Sequence, residues 1–176
     1  ALSVAMSVYN NAPYLDLAIE SILTQSFTDF EFLIVNDGST DGSAEIIDGW
    51  AARDSRIRVI HQPNMGFIAS LNRLFAEARA PWIARMDGDD VSHPERLARQ
   101  FEFLRQHPDH GVVSCEARLV GPDGERLEKD RVPRACDHEG ITASMGDGVP
   151  INHNAAIMPR DLVREIGGYR PAYRHC

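Results

Sequence analysis

Cysteine, basic charge and long apolar runs are all scarce in this chain, and each scarcity closes off a class of function. Three cysteines, Cys115, Cys136 and Cys176, are spread over 176 residues with no CxxC pair. That spacing argues against a structural zinc site and, at this length, against a disulfide scaffold. Three free thiols in a reducing compartment are expected. Lys and Arg number 18 against 26 Asp and Glu, a formal net charge of -8. That sign is wrong for a general nucleic-acid binder, which needs a basic footprint. No stretch approaches the ~20 apolar residues of a membrane-spanning helix. Ala1-Leu2-Ser3-Val4 runs straight into strand-like sequence, with no basic and apolar leader before it. The dinucleotide fingerprint GxGxxG, the P-loop GxxxxGK(S/T) and the hydrolase elbow GxSxG are all missing. What remains is ordinary soluble composition, 43% hydrophobic and 25% charged. It excludes a disordered chain and suits one domain with a real core.

The first ninety residues alternate between two hydrophobic periods. Leu2 to Tyr9 is strand-like and ends in the turn cluster Asn10-Asn11-Ala12-Pro13. Leu15, Ala18, Ile19, Ile22 and Leu23 then recur at the spacing of one helix face. Phe30 to Val35 reads as a second strand and stops in Asn36-Asp37-Gly38-Ser39-Thr40-Asp41-Gly42-Ser43. Ile46, Ile47 and Trp50 mark a second helix, Ile57 to Ile60 a third strand, and Gln62 to Gly66 a break. Phe67, Leu71, Leu74, Phe75 and Ala78 give a third helix. Trp82 to Met86 gives a fourth strand, closed by Asp87-Gly88-Asp89-Asp90. The order is βαβαβαβ, which implies a mostly parallel sheet flanked by helices. Right-handed crossovers bring the loops after the four strands to one rim, where such sheets bind ligands.

Further along, the spacing predicts a fourth helix opened by Pro94 and capped by Ser92 or His93, with Arg96, Arg99 and Arg105 on its wet face. Gly111 to Val120 is expected to be a strand and Gly121-Pro122-Asp123-Gly124 a hairpin turn. Residues 128–150 read as a long, mobile surface segment. Asn154 to Met158 is a short apolar run, and Pro159 to Ile166 a last helix ended by Gly167-Gly168.

Three constellations carry the chemistry. Asp87 and Asp89 stand at i and i+2 of extended chain, so both carboxylates can face one ligand. Gly88 between them lets the backbone turn and a ligand approach closely. At ~5 Å and an effective dielectric of ~20, such carboxylates repel by ~3 kcal/mol. A hard divalent cation, Mg²⁺ or Mn²⁺, relieves that repulsion. The bland alternative is a solvated acidic turn. Asp37, at the end of the second strand, either accepts hydrogen bonds from a nucleobase or ribose, or forms an Asx-type turn capping the next helix. Asn64-Met65-Gly66, with Asn72 one helix face away, is either an anion site at a helix start or a plain entry turn. His107 and His110 read as solvated, and His153 as a hydrogen-bonded structural histidine that could instead touch a phosphate or the metal.

Taken together, these phrases resemble the GT-A fold glycosyltransferases of family 2, bacterial transferases that build surface polysaccharides. The matching segments are Val4 to Asn10, Leu15 to Phe27, Phe30 to Ser43, Asn64-Met65-Gly66, Ile83 to Asp90, Pro94 to Leu97 with Gln100, and His153 to Tyr169. The resemblance implies an α/β, Rossmann-like GT-A domain over residues 1–176, with a nucleotide-binding part over 1–110 and an acceptor part over 111–176. It implies a metal-dependent, inverting transferase, using a nucleotide-diphosphate sugar donor, commonly UDP-linked, and a saccharide or lipid-linked acceptor. Ser7, Val8 and Tyr9 would pack on the base and Asp37 would hydrogen-bond it. Asn64, Gly66 and Gly88 would border the donor. Asp87 would contact the ribose or the metal's surroundings, Asp89 would ligate Mn²⁺ or Mg²⁺ directly, and Asp90 would stand behind them. The family's base belongs to an acidic pair beyond the Gly-Gly-Tyr segment. Such a pair is expected past Cys176, together with anything that ties the protein to the inner face of the cell membrane. The expected location is cytoplasmic or at that face. Two rivals remain open at this point. One is a sugar-1-phosphate nucleotidyltransferase, which would want a basic, Gly-rich loop where Asn10-Asn11-Ala12-Pro13 stands. The other is a module that binds nucleotide-sugar without chemistry. A receiver-type phosphorylation domain is disfavoured, because Lys129 is far from any strand end.

Overall fold

Strand β1 (Leu2–Val8) is buried on both faces, as a central strand of a covered parallel sheet must be. In the computed structural model, which describes residues 1–121, 124–125, 127, 137–146 and 150–172, it is flanked by β2 (Phe30–Asp37) and β4 (Trp82–Asp87), both parallel to it. β3 (Ile57–Gln62) pairs parallel with β2, and a short β5 (Ile157–Pro159) pairs antiparallel with β4. The sheet order is β3-β2-β1-β4-β5. The chain therefore grows outward on one side of β1, then crosses back to its other side. That reversal is a topological switch point, and it puts Ser7 in register with Asp87.

Side-chain alternation sorts the core into two layers. Leu2, Val4, Met6, Val8, Phe32, Ile34, Ala84 and Met86 face one way, against α1 (Ala12–Leu23), α2 (Ser43–Ala51) and α4 (Arg96–Gln106). Ala5, Leu33, Val35 and Ile83 face the other way, against α3 (Phe67–Glu77) and α6 (Arg160–Glu165). The expected mostly parallel α/β sheet with helices on both faces is what forms. Among the described residues no helix is long and apolar enough to cross a membrane.

Several sequence expectations are corrected. α4 starts at Arg96, and its cap position, Glu95, makes no side-chain cap bond. Ser92 does not cap it, whereas His93 Nδ1 accepts from Glu95 N at 3.3 Å, as the expected cap would. Gln25, just past α1, adds to this: it accepts from Leu97 N at 3.0 Å and donates to the His93 carbonyl at 2.7 Å. A side chain from another helix end satisfies the orphan donor that a local cap normally takes. Arg96 is buried rather than wet, and donates to the Arg85 carbonyl at 3.0 Å. Arg99 and Arg105 are exposed, paired with Glu95 and Glu102.

Residues 111–120 do not form a strand. Val113 bridges Ile157 and Val120 is a second bridge residue, while side chains take up part of the pairing between them. Ser114 Oγ donates to the Asn152 carbonyl and Asn152 Nδ2 to the Cys115 carbonyl, both at 2.7 Å. Leu127 N reaches the Leu119 carbonyl and Gly124 N the Gly121 carbonyl, bonds of the kind the expected turn at Gly121 makes. Pro122 and Asp123 of the expected turn lie outside the described residues, as do 128–136 and 147–149 of the segment read as a mobile surface stretch. The described part of that segment contains α5 (His138–Ser144), capped by Asp137 accepting from Gly140 N at 2.8 Å. Cys115 is a free thiol, its pKa raised by burial; Cys136 and Cys176 lie outside the described residues.

Candidate functional site: a cleft at the switch point

The loops after β1, β2, β3 and β4 meet in a cleft of about 380 Å³ lined by Ser7, Tyr9, Asn11, Asp37, Asn64, Gly66, Phe67, Asp87, Gly88 and Asp89. Ser7, Tyr9, Asp37, Asn64, Gly66, Asp87, Gly88 and Asp89 had been singled out in the sequence, and the fold gathers them in one place. Val8 is the exception. Strand alternation turns its side chain into the core, at 0% exposure, so it offers a ligand no side-chain surface. Asn11 and Phe67 had not been singled out.

The rim is stitched by side-chain-to-backbone bonds. Ser39 Oγ accepts from Asn10 N and Asn10 Oδ1 from Thr40 N. Ser43 Oγ accepts from Asn11 N, and Asp41 from Ala12 N and Ser43 N. The Ser43 hydroxyl beside Asp41 also holds that carboxyl below its usual range. The loops after β1 and β2 are thus one polar unit, with Asn10 in the left-handed region at φ 55.

Asp37 is 2% exposed and does not form the Asx-type cap of the next helix that is one of its two readings. Oδ1 accepts from Gln62 Nε2 at 2.7 Å and Met65 N at 2.9 Å, and Oδ2 accepts from Gly66 N at 2.9 Å. The Asp37 carboxylate thus takes up two backbone donors at the start of α3. Gln62 is oriented in turn by Ser70 Oγ, which accepts from its amide, and by Arg73, which donates to its carbonyl oxygen. Gly66 has φ 87, a backbone state that side chains disfavour.

The acidic turn is divided in function by its neighbours. Asp89 is exposed, and its carboxylate accepts no hydrogen bond from any described residue. Asp87 is paired with Arg85, a side chain with 0% exposure that also donates to the Met86 and Ala5 carbonyls. Asp90 turns away from the cleft to accept from Asn154, and burial raises its pKa. Gly88 is packed on the Asn11 side chain, 3.2 Å from where a Cβ would stand. Two carboxylates on the cleft wall, one of them unengaged, are a hard oxygen set that fits a divalent cation.

His153 does not line the cleft. It bonds Tyr169 through Nε2, and burial together with the nearby Arg85 cation lowers its pKa to about 4. Burial raises the Tyr169 phenol to about 12. Asn72 clamps the Tyr169 backbone from both sides, donating to its carbonyl at 2.9 Å and accepting from its N–H at 2.8 Å. At the far end of α4, His107, Asp109 and His110 are exposed as expected, with their ligating atoms within 4.8 Å of one another. A shallow groove of about 410 Å³ along the outer face of α4 is lined by paired surface charges and Phe103.

Comparison with known proteins supplies the relatives. Over 98% of this chain, it is 37% identical to EpsE of Bacillus subtilis (strain 168), a protein named as a glycosyltransferase. Over 96% of the chain, it is 30% identical to the O-antigen biosynthesis glycosyltransferase WbnJ of Escherichia coli. It spans only 61% and 65% of those two proteins. Two solved structures share the GT-A fold at 20% identity. The mannosyltransferase PcManGT of Pyrobaculum calidifontis, in complex with GDP-Man and Mn2+, superposes with a TM-score of 0.72 over 96% of this chain and 47% of its own. S. aureus TarS 1-349, in complex with UDP-GlcNAc, superposes with a TM-score of 0.75 over 97% and 48%. The family model for glycosyl transferase family 2 matches residues 3–167, and with the switch-point cleft and its acidic turn this makes the chain a member of that family.

Proposed function

We propose that this chain is the donor-binding part of a glycosyltransferase that moves a sugar from a nucleotide-diphosphate sugar, UDP-linked in our reading, to an acceptor hydroxyl. The observation that carries the proposal is the convergence of two half-exposed aromatic rings, Tyr9 and Phe67, with the open carboxylate of Asp89 in one cleft. A nucleoside needs a flat apolar wall and a diphosphate needs a cation; the cleft offers the first and can hold the second. The base rests on Tyr9 and Phe67, beside Asn64 and the loop that Asp37 organises. Asp37 shapes the base pocket through this loop, and its Oδ2, which accepts one bond from Gly66 N, has capacity left for a hydrogen bond from the base. Ser7 and Asp87, in register on β1 and β4, face the ribose and diphosphate end.

Asp89 and Asp87 would hold Mn²⁺ or Mg²⁺, which when bound offsets the charge that grows on the departing diphosphate. The relative solved with GDP-Man and Mn2+ supports that assignment. Transfer proceeds by one displacement with inversion, the acceptor oxygen attacking as the bond to the diphosphate breaks. His153 is not its base. A pKa of about 4 makes it a weak proton acceptor, and Tyr169 occupies its ring nitrogen. The acceptor is a saccharide or a lipid-linked sugar in cell-surface polysaccharide synthesis, and the reaction takes place at the cytoplasmic side of the membrane. WbnJ, named for O-antigen biosynthesis, supports that setting. The nucleotidyltransferase alternative loses ground, because the loop after β1 is locked to β2's loop and carries no basic side chain.

Calorimetry of UDP and GDP, with and without Mn²⁺, tests the reading. Binding that strengthens with Mn²⁺ is expected. An absence of binding by either nucleotide under both conditions would sink it.

A further inference from the structure

A charged side chain sits where the core should be apolar. Arg85 is the fourth residue of β4 and is wholly buried. Its inner face is walled by Phe67, whose ring centroid lies 5.6 Å from the guanidinium carbon. His153 and Tyr169 are close enough to feel its charge. A buried cation is costly unless it is paired and hydrogen-bonded. Among the described residues the carboxylate that pairs with Arg85 is Asp87, two residues on and therefore on the same face of the strand. Nη1 meanwhile donates to the Ala5 carbonyl of β1 at 3.3 Å and to the Met86 carbonyl at 2.9 Å. The guanidinium is thus fixed to two strands at once, and Asp87 is fixed to the guanidinium.

The consequence lies in how the carboxylate is divided. Asp87 Oδ1 is committed to Arg85, while Oδ2 accepts no hydrogen bond from any described residue and belongs to a side chain on the cleft wall. An unrestrained aspartate beside Asp89 and Asp90 would swing away from its like-charged neighbours. A second buried guanidinium, Arg96, braces the same strand end through the Arg85 carbonyl and lies within electrostatic reach of Asp90. Arg85 therefore holds Asp87 in place before any ligand arrives, while Asn154 holds Asp90.

We propose that Arg85 is a positioning residue for donor binding. It locks Asp87 so that its free oxygen and the Asp89 carboxylate face the same cation site. The proposal rests on the donor-cleft reading above and goes beyond it by assigning a buried residue that cannot touch the ligand. The planar fork is what matters. A lysine would carry the charge but could not serve two carbonyls and a carboxylate from one rigid plane.

The experiment is calorimetry of UDP, with GDP in parallel, in the absence and presence of Mn²⁺, together with Mn²⁺ binding followed by electron paramagnetic resonance. The variants are Arg85→Met, Arg85→Lys, Asp87→Asn and the double variant Arg85→Met/Asp87→Asn. Loss of a residue that orients a metal-facing ligand typically costs about 10- to 100-fold in metal affinity. Arg85→Met is expected to lose the Mn²⁺-dependent gain by about tenfold or more while metal-free UDP affinity stays within about twofold. Arg85→Lys, which retains the charge if Arg85→Met fails to fold, is expected to lose a measurable part of that gain, smaller than the loss in Arg85→Met. In the Asp87→Asn background Arg85→Met should add nothing, because Arg85 acts through Asp87. The proposal is overturned if Arg85→Lys keeps the full gain. It is overturned equally if Arg85→Met weakens metal-free and Mn²⁺-bound affinities alike, or if the two single effects add. If the unmodified protein binds neither nucleotide, the donor-cleft reading itself falls and takes the role of Arg85 with it; a failure confined to the variants falls on Arg85 alone.

Discussion

Asp37 accepts the backbone N–H of Gly66 at 2.9 Å, tying the tip of β2 to the first step of α3 across 29 residues of chain. With Met65 N and Gln62 on its other oxygen, this carboxylate is a bolt between two rim loops. Asp37→Ala strands two backbone donors and the Gln62 amide. It should cost about 2 kcal/mol of stability, and UDP affinity should fall even without metal. Denaturant unfolding and calorimetry on one preparation check both. A variant with unaltered stability would break the bolt interpretation.

Asp89 is the opposite case. It is exposed and holds nothing else in place. Asp89→Ala should shift stability by no more than about 0.5 kcal/mol, yet remove the part of nucleotide affinity that depends on Mn²⁺. Loss of metal-free affinity to the same degree would contradict its assignment.

The pH dependence has a definite sign. His153 titrates at about 4 in the folded protein against 6.5 for a free imidazole, because it is buried and close to Arg85, with Asp87 opposing weakly. Below 6.5 the unfolded chain binds that proton first, so stability falls from about pH 6.5 towards pH 4 and then levels off. The full loss is at most about 3 kcal/mol. Asp90 works the other way, since its raised pKa lets the folded state take up a proton before the unfolded chain does. His153→Gln should flatten the slope between pH 6.5 and 4 in urea titrations at stepped pH. An unchanged slope would show that another group sets it.

Asn72 mimics a strand partner for Tyr169. Asn72→Ala should cost about 1–2 kcal/mol and raise amide exchange at Tyr169 well before exchange at β1. Protection at Tyr169 equal to the parent would mean that Phe75, whose ring meets Tyr169 at 5.4 Å, and His153, which bonds its hydroxyl, hold the segment without Asn72.

Much of this was legible in the chain because parallel sheets write long apolar runs and their loops write polar clusters. The four strands, the first three helices and the gathering of Asp37, Asn64 and Asp87 at one rim all follow from that. Arg85 is legible too, as the one charge inside Trp82-Ile83-Ala84-Arg85-Met86, but the strand pattern alone does not show what it pairs with. What stayed hidden depends on contacts distant in sequence. Gln25 adds its cap bond to α4 from 72 residues away, a share of the capping that no local signal near Pro94 could reveal. Arg96 looked like its surface neighbours Arg99 and Arg105, since a helix face is buried or wet according to what docks on it. β5 has only three residues, too few for a period, and is a strand because β4 has a free edge.

That edge has a consequence for how the protein is made. As the chain emerges from its N-terminus, β4 and its acidic turn are complete some seventy residues before Ile157 arrives to pair with Ala84. During that interval the exposed ladder of β4 is open to any extended chain nearby. Premature termination before residue 157 would therefore leave a species prone to self-association.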